Sequence, residues 1–171
     1  RSLAAALLLA VAAVGAAGCG TDTAVSVPAT VKAPPQSARL GWKEPYPAEQ
    51  PALVFGVSSF TVTRTGWTAE ISVENRSEIA WEVGDPRYAA NRAFGVLLFP
   101  DDDLEELERR NRDDDLPAIR HATTYNPALP LVLRPGQTWV GTISAPGALA
   151  GGLWVRLSFG PFVSVGDPPE G

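Results

Sequence analysis

Apolar and polar residues alternate along most of the chain between residues 52 and 166. In "WTAEISVEN", Trp67, Ala69, Ile71 and Val73 alternate with polar residues, as in a strand that buries one face. The same period of two recurs in "FTVT", "IAWEV", "TWVGTIS", "LWVRLSF" and "FVSV", whereas "AFGVLLF" is a continuous apolar run typical of a strand buried on both faces. About eight strands in roughly 115 residues predict an all-β sandwich.

One stretch, "PDDDLEELERRNRDDDLP", departs from this period and predicts a short surface helix over about 101–112. Asp102 is the expected N-cap, with Glu105 three residues later. Leu104 and Leu107 are its apolar contacts. The expected i,i+4 ion pairs are Glu105–Arg109, Glu106–Arg110 and Glu108–Arg112.

The ends of the chain differ in composition from this domain. Residues 1–18 have the features of a signal peptide, because "LAAALLLAVAAV" is apolar but short of the about 20 residues that a membrane span needs. Residues 19–51 contain six prolines and no periodic apolar face, which predicts a Pro-rich linker. The expected division is therefore signal peptide, linker, a sandwich over 52–166 and a disordered tail over 167–171.

Cys19 is the only cysteine, so a disulfide within the chain is impossible. It follows Ala17 and Gly18 directly, and this arrangement resembles the lipobox of bacterial lipoproteins, although Ala16 stands where leucine is commonest. In that family the thiol is joined to diacylglycerol and the cysteine becomes the mature N-terminus. Two acyl chains hold a protein firmly at a membrane where one chain does not. The resemblance implies a lipid anchor at Cys19 on the extracytoplasmic face of the cell membrane.

Two further segments, "ISVENRSEIAWEV" and "LRPGQTWVGTISAP", resemble the strand–Asn–turn–strand and Pro-Gly elements of bacterial lipid-anchored, immunoglobulin-like domains, many of which have no assigned function. The resemblance implies an immunoglobulin-like antiparallel β-sandwich that has no catalytic activity and no cofactor. The helix over 101–112 is not part of that pattern.

Charge and residue content narrow the function further. A formal net charge of -5 disfavours nucleic acid as a partner, because no basic stripe exists to displace the counterions of phosphates. His121 is the only histidine, and no G-x-S-x-G motif accompanies it, so a hydrolase is not expected. His121 and a lipidated cysteine do not make a tetrahedral zinc site.

Aromatic and charged residues are the candidates for partner contacts. Trp42 and Tyr46 either pack onto the domain or form an exposed aromatic patch, while Trp67, Trp81, Trp139 and Trp154 occupy apolar phases and are expected in the core rather than on a carbohydrate-stacking face. The remaining candidates are Arg87, Tyr88, Arg92, Glu105, Glu108, Arg109 and Arg112.

Two acidic triplets flank the predicted helix: Asp101, Asp102 and Asp103, and Asp113, Asp114 and Asp115. They either form a solvated, helix-capping cluster or supply oxygen ligands to Ca²⁺, but a helix of about ten residues separates them by about 15 Å. We therefore expect a non-enzymatic, lipid-anchored protein that contacts an envelope protein or a cell-wall polymer. The alternative is a lipoprotein that binds a small ligand or Ca²⁺ for uptake or sensing.

Overall fold

The computed structural model describes residues 31–84 and 93–166. It consists of antiparallel sheets that form an all-β sandwich with one short surface helix, as predicted. Residues 1–18, predicted as a signal peptide, Cys19, residues 167–171, predicted as a tail, and the candidates Arg87, Tyr88 and Arg92 lie outside the described residues. Among the residues described, no helix has the length and hydropathy to cross a membrane.

The described elements follow one another in a simple order. In chain order they are β1 Gln36–Tyr46, β2 Leu53–Val62, β3 Gly66–Asn75, β4 Ala80–Val83, β5 Phe94–Phe99, α1 Leu104–Arg112, β6 Arg120–His121, β7 Thr124–Asn126, β8 Val132–Leu133, β9 Thr138–Pro146, β10 Trp154–Phe159 and β11 Phe162–Val165. The region between α1 and β8 contains the short strands β6 and β7.

The two layers differ in width. The first layer is one sheet in the order β1-β2-β3-β9-β7. The second layer consists of two short sheets, β10-β5-β6 and β11-β4-β8. Phe159 pairs with Phe94 and Phe162 pairs with Val83, so β10 and β11 follow each other along one edge of β5 and β4. The second layer is therefore three strands wide and faces a layer of five.

The core lies between the layers and is filled by the alternate residues of the strands. Trp67 and Trp139 are buried as predicted, and Phe94 stacks on Trp139 with ring centroids 6.1 Å apart. Trp81 is half-buried and packs against the core. Trp154 was predicted in the core, and this was wrong: its side chain is 54% exposed. The alternate residues of β10 pack inward, and Trp154 is out of phase with them.

The first strand departs from the predicted linker. Gln36–Tyr46 pairs antiparallel with β2 over its whole length, with a register shift between Arg39 and Trp42. Its side chains are almost all exposed, and most of its residues are polar, so its composition differs from that of the core strands. Pro45 is tolerated because β1 is an edge strand, where a missing backbone donor costs little. The described domain therefore includes residues that the composition assigned to a linker.

Asn75 is buried where β3 passes to β4, and its side-chain amide is fully hydrogen-bonded. Its Nδ2 donates to the carbonyls of Ile79 at 2.7 Å and Leu133 at 3.0 Å. Its Oδ1 accepts from the backbone N–H and the hydroxyl of Ser77, at 2.9 and 2.7 Å. Since Leu133 belongs to the second layer, this one amide ties the end of β3 to the opposite layer.

We expect Asn75→Ala to destabilise the fold by about 2–4 kcal/mol, because it removes the side-chain donor to the carbonyls of Ile79 and Leu133 and leaves the Ser77 N–H without its acceptor. Denaturant unfolding measures the change. Asn111→Ala, on the exposed side of α1, is the matched control and should change the free energy of unfolding by less than about 0.5 kcal/mol. Equal values for the two variants would contradict the role given to Asn75.

Candidate functional site

The sandwich is open along the side where β1 and the β10–β11 edge meet. Phe159 of β10 packs on Phe55 of β2 at 4.7 Å between centroids, and Phe162 of β11 packs on the same ring at 5.2 Å. The outermost strand of the second layer therefore lies over β2. Strand β1, on the far side of β2, therefore has no strand of the described second layer directly above it. We call this region the open edge: the inward face of β1, the β10–β11 edge and the helix residue Leu107.

The two aromatic candidates of the linker region both lie on the open edge. Trp42 pairs with Val57 and Tyr46 pairs with Leu53, and both partners are buried in the core. Residues directly opposite each other on neighbouring strands share a face, so Trp42 and Tyr46 face inward. They nevertheless remain 43% and 63% exposed, because the second layer covers them only in part.

Two apolar cavities lie along the open edge. The larger, of about 390 Å³, is lined by Leu40, Trp42, Val57, Leu107, Val155, Arg156 and Leu157. The smaller, of about 240 Å³, is lined by Tyr46, Leu53, Phe55, Trp81 and residues 159–162. The Trp42 and Phe159 rings stack at 5.7 Å, and one belongs to each cavity. The edge thus offers a continuous stretch of apolar surface.

The N-cap of helix α1 lies one residue later than predicted. Asp103, not Asp102, is the N-cap: its Oδ1 accepts from the backbone N–H groups of Glu105 at 2.9 Å and Glu106 at 3.2 Å. At the other end Asp114 has a φ of 57°, the left-handed conformation that commonly terminates a helix. Leu107 is the apolar contact of the helix with the sandwich.

The ion pairs of α1 centre on Glu106. Arg109 donates to both carboxylate oxygens of Glu106 at 2.7 Å, and the Nε of Arg110 donates to the Oε1 of Glu106 at 2.7 Å. Of the predicted pairs, Glu106–Arg110 forms, whereas Arg109 binds Glu106 and Asp113 rather than Glu105. These charge-assisted hydrogen bonds lower the pKa of Glu106 to about 2.

The candidate residues of α1 face solvent. Glu105, Glu108, Arg109 and Arg112 are exposed and form an outward surface of mixed charge beside the open edge. The acidic triplets lie at opposite ends of the helix, and within residues 31–84 and 93–166 no three His, Cys, Asp or Glu side chains are grouped as metal ligands. His121 is half-buried in β6, opposite Gly95.

The structure brings together some candidates that the sequence treated separately. Trp42 and the helix meet through Leu107 at the larger cavity. Leu40, Val155 and Leu157 were not predicted as site residues. For Leu40, the signal in the sequence is its even spacing from Trp42 and Tyr46, because alternate residues of a regular strand share one side.

Comparison with known proteins adds no relative: no protein-family model matches the chain, and no curated protein or solved structure is significantly similar to it.

The lowered pKa of Glu106 predicts a specific loss of stability in acid. Its carboxylate is favoured in the folded state, so its contribution is present above pH 4.5 and is lost as the pH falls toward 2. An NMR titration of the Glu106 side chain should give a midpoint near pH 2. Glu106→Gln should remove this part of the acid dependence of unfolding, whereas Glu105→Gln leaves both guanidinium contacts and retains it. A midpoint above pH 4 in the unaltered protein would contradict this assignment.

Proposed function

We propose that this protein is a non-enzymatic, lipid-anchored sandwich on the extracytoplasmic face of the cell membrane, where it binds another envelope protein or a cell-wall polymer. The observation that carries the proposal is the open edge, with two partly exposed inward-facing aromatic residues next to a charged helix. Exposed apolar surface rimmed by polar residues is characteristic of interaction sites. The proposed location depends on the resemblance of the Cys19 segment to a lipobox.

The surface divides into two contacts of different chemistry. Tyr46 and the smaller cavity supply apolar area, and an exposed tyrosine is a frequent anchor in protein interfaces. The outer side of α1 supplies both signs of charge within one helical face. Mixed charge of this kind directs orientation and association rate more than affinity. A partner with an apolar anchor and complementary charges fits both contacts.

We expect two variants to reduce recovery of the partner from crosslinked envelopes by tenfold or more. Tyr46→Ala removes the apolar anchor. The double variant Glu108→Arg, Arg112→Glu inverts the charge pattern of α1 without changing the net charge. Quantitative mass spectrometry of the captured material measures recovery.

Val140→Ala is the matched control, because Val140 is 64% exposed on the outer face of the first layer. Its recovery should equal that of the unaltered protein. Unchanged recovery for both test variants would remove the open edge and α1 as the contact surface.

The anchor is tested separately by growth with radiolabelled palmitate. The unaltered protein should carry the label and Cys19→Ser should not, because oxygen does not replace the sulfur that receives the lipid. Ala24→Ser should retain the label, since it makes a change of similar size outside the lipobox. Label on Cys19→Ser, or none on the unaltered protein, would overturn the proposed location.

A further inference from the structure

The larger cavity of the open edge contains one charged residue, Arg156. Its other walls are aliphatic or aromatic and are formed by Leu40, Trp42, Val57, Leu107, Val155 and Leu157. Arg156 alternates with Val155 and Leu157 along β10, so its side chain leaves the opposite face of the strand. The cavity therefore extends around the outer edge of β10 toward α1. A small molecule in this position would contact apolar side chains and a guanidinium at the same time.

Most of the hydrogen-bonding capacity of Arg156 is unused within the described residues. A guanidinium has five N–H donors. The Nη2 of Arg156 donates to the backbone carbonyl of Asp102 at 3.3 Å, which is a long hydrogen bond. The Nε is buried and has no hydrogen-bond partner there, and the guanidinium carbon lies 5.7 Å from the centre of the Phe99 ring. The guanidinium is thus positioned by Asp102 and Phe99, while several of its donors have no partner in the described protein.

Arg156 also forms no ion pair with a carboxylate of the described residues. In α1, the carboxylate of Glu106 is held by two arginines of the helix itself. The carboxylate of Asp103 caps the helix, and Asp102 offers Arg156 its backbone carbonyl. A partly buried cation without a counterion favours a ligand that brings an anionic hydrogen-bond acceptor.

Size and charge restrict this ligand further. The volume of about 390 Å³ lies near the lower end of the range for small-molecule sites. It corresponds to about a dozen non-hydrogen atoms, if each takes the roughly 30 Å³ of a water molecule in the liquid. The chain carries a formal net charge of -5, which opposes the approach of small hydrated anions. Burial of an apolar body must therefore supply much of the affinity.

We propose that the larger cavity binds a small amphiphilic carboxylate, a molecule with an apolar body and one acidic group. The apolar body displaces water from Trp42, Val155 and the other apolar walls. The carboxylate accepts charge-assisted hydrogen bonds from Arg156, whose planar guanidinium matches its geometry. Tyr46 and the smaller cavity, which the proposed function assigns to a partner, do not line this site. The inference therefore does not rest on the proposed function.

NMR titration of the purified full chain with octanoate tests the site. Octanamide has the same size without the charge, and acetate has the charge without the apolar chain. We expect octanoate to cause saturable shifts of the Trp42 indole N–H and of the Val155 and Leu157 amides, with a Kd below about 1 mM. Octanamide and acetate should bind at least tenfold more weakly. No saturable shift with octanoate, or equal affinity for octanamide, would overturn the proposal.

Two pairs of variants assign the binding to named side chains. Arg156→Gln removes the charge and should weaken octanoate binding at least tenfold, whereas Arg134→Gln, at an exposed arginine outside the cavity, should not. Leu107→Asp places a carboxylate in the wall and should weaken it at least tenfold as well. Leu104→Asp is the matched control, because Leu104 is exposed on the same helix and does not line the cavity. Equal affinities within either pair would contradict the proposed site.

The same spectra report folding and the other possible occupant. Unchanged shifts of the β3 and β9 amides show that each variant remains folded. A dilution series without octanoate should leave the signals of Trp42 and β10 unchanged. Shifts of these signals with protein concentration alone would assign the cavity to a second copy of the chain and would overturn the proposal.

Discussion

The buried amide of Asn75 joins the two layers at the end of the sandwich where the chain crosses from β3 to β4, from β7 to β8 and from β8 back to β9. Asn75 binds the carbonyl of Leu133 with its side chain, and its backbone exchanges hydrogen bonds with Gly136 and Gln137. Asn75 is the one fully buried polar residue among the described positions, and a buried polar group is stable only when its hydrogen bonds are made.

With that end held, aromatic packing determines where the second layer lies. Phe94 contacts Trp139 on one side and Phe159 on the other, so rings extend across the core from β9 toward β10. Phe159 then packs over Phe55 of β2 and also stacks on Trp42 of β1. The open edge results from this placement, because three strands centred on Phe94 do not cover five. The exposed apolar surface is thus a consequence of the difference in width between the layers. Trp42 lies where the narrower layer ends and is partly exposed, whereas Trp67 lies beneath that layer and is buried.

Period-two alternation was sufficient to predict the central strands, because each of them buries one face against the other layer. It failed for β1, whose inward residues are only partly covered by the described second layer and whose composition is therefore that of an exposed segment. Trp154 was wrongly predicted in the core, because the inward face of β10 is set by Val155, Leu157 and Phe159 and the size of one apolar side chain does not determine which face it occupies. The choice between Asp102 and Asp103 depends on backbone angles that three consecutive aspartates do not distinguish in sequence. The open edge itself arises from contacts between distant strands, such as Trp42 with Phe159, which local patterns do not encode.

The pairing of β1 with β2 also has a mechanical consequence. Gln36 lies opposite Val62 and Tyr46 lies opposite Leu53, so the strand runs the full length of its neighbour. A pulling force that enters at residue 36 along the strand axis would stretch the whole ladder at the same time, in shear, instead of opening it one bond after another. Such a domain resists a force on its N-terminal side better than a domain whose first segment is not paired in a sheet. It would unfold from that side only when many hydrogen bonds break together.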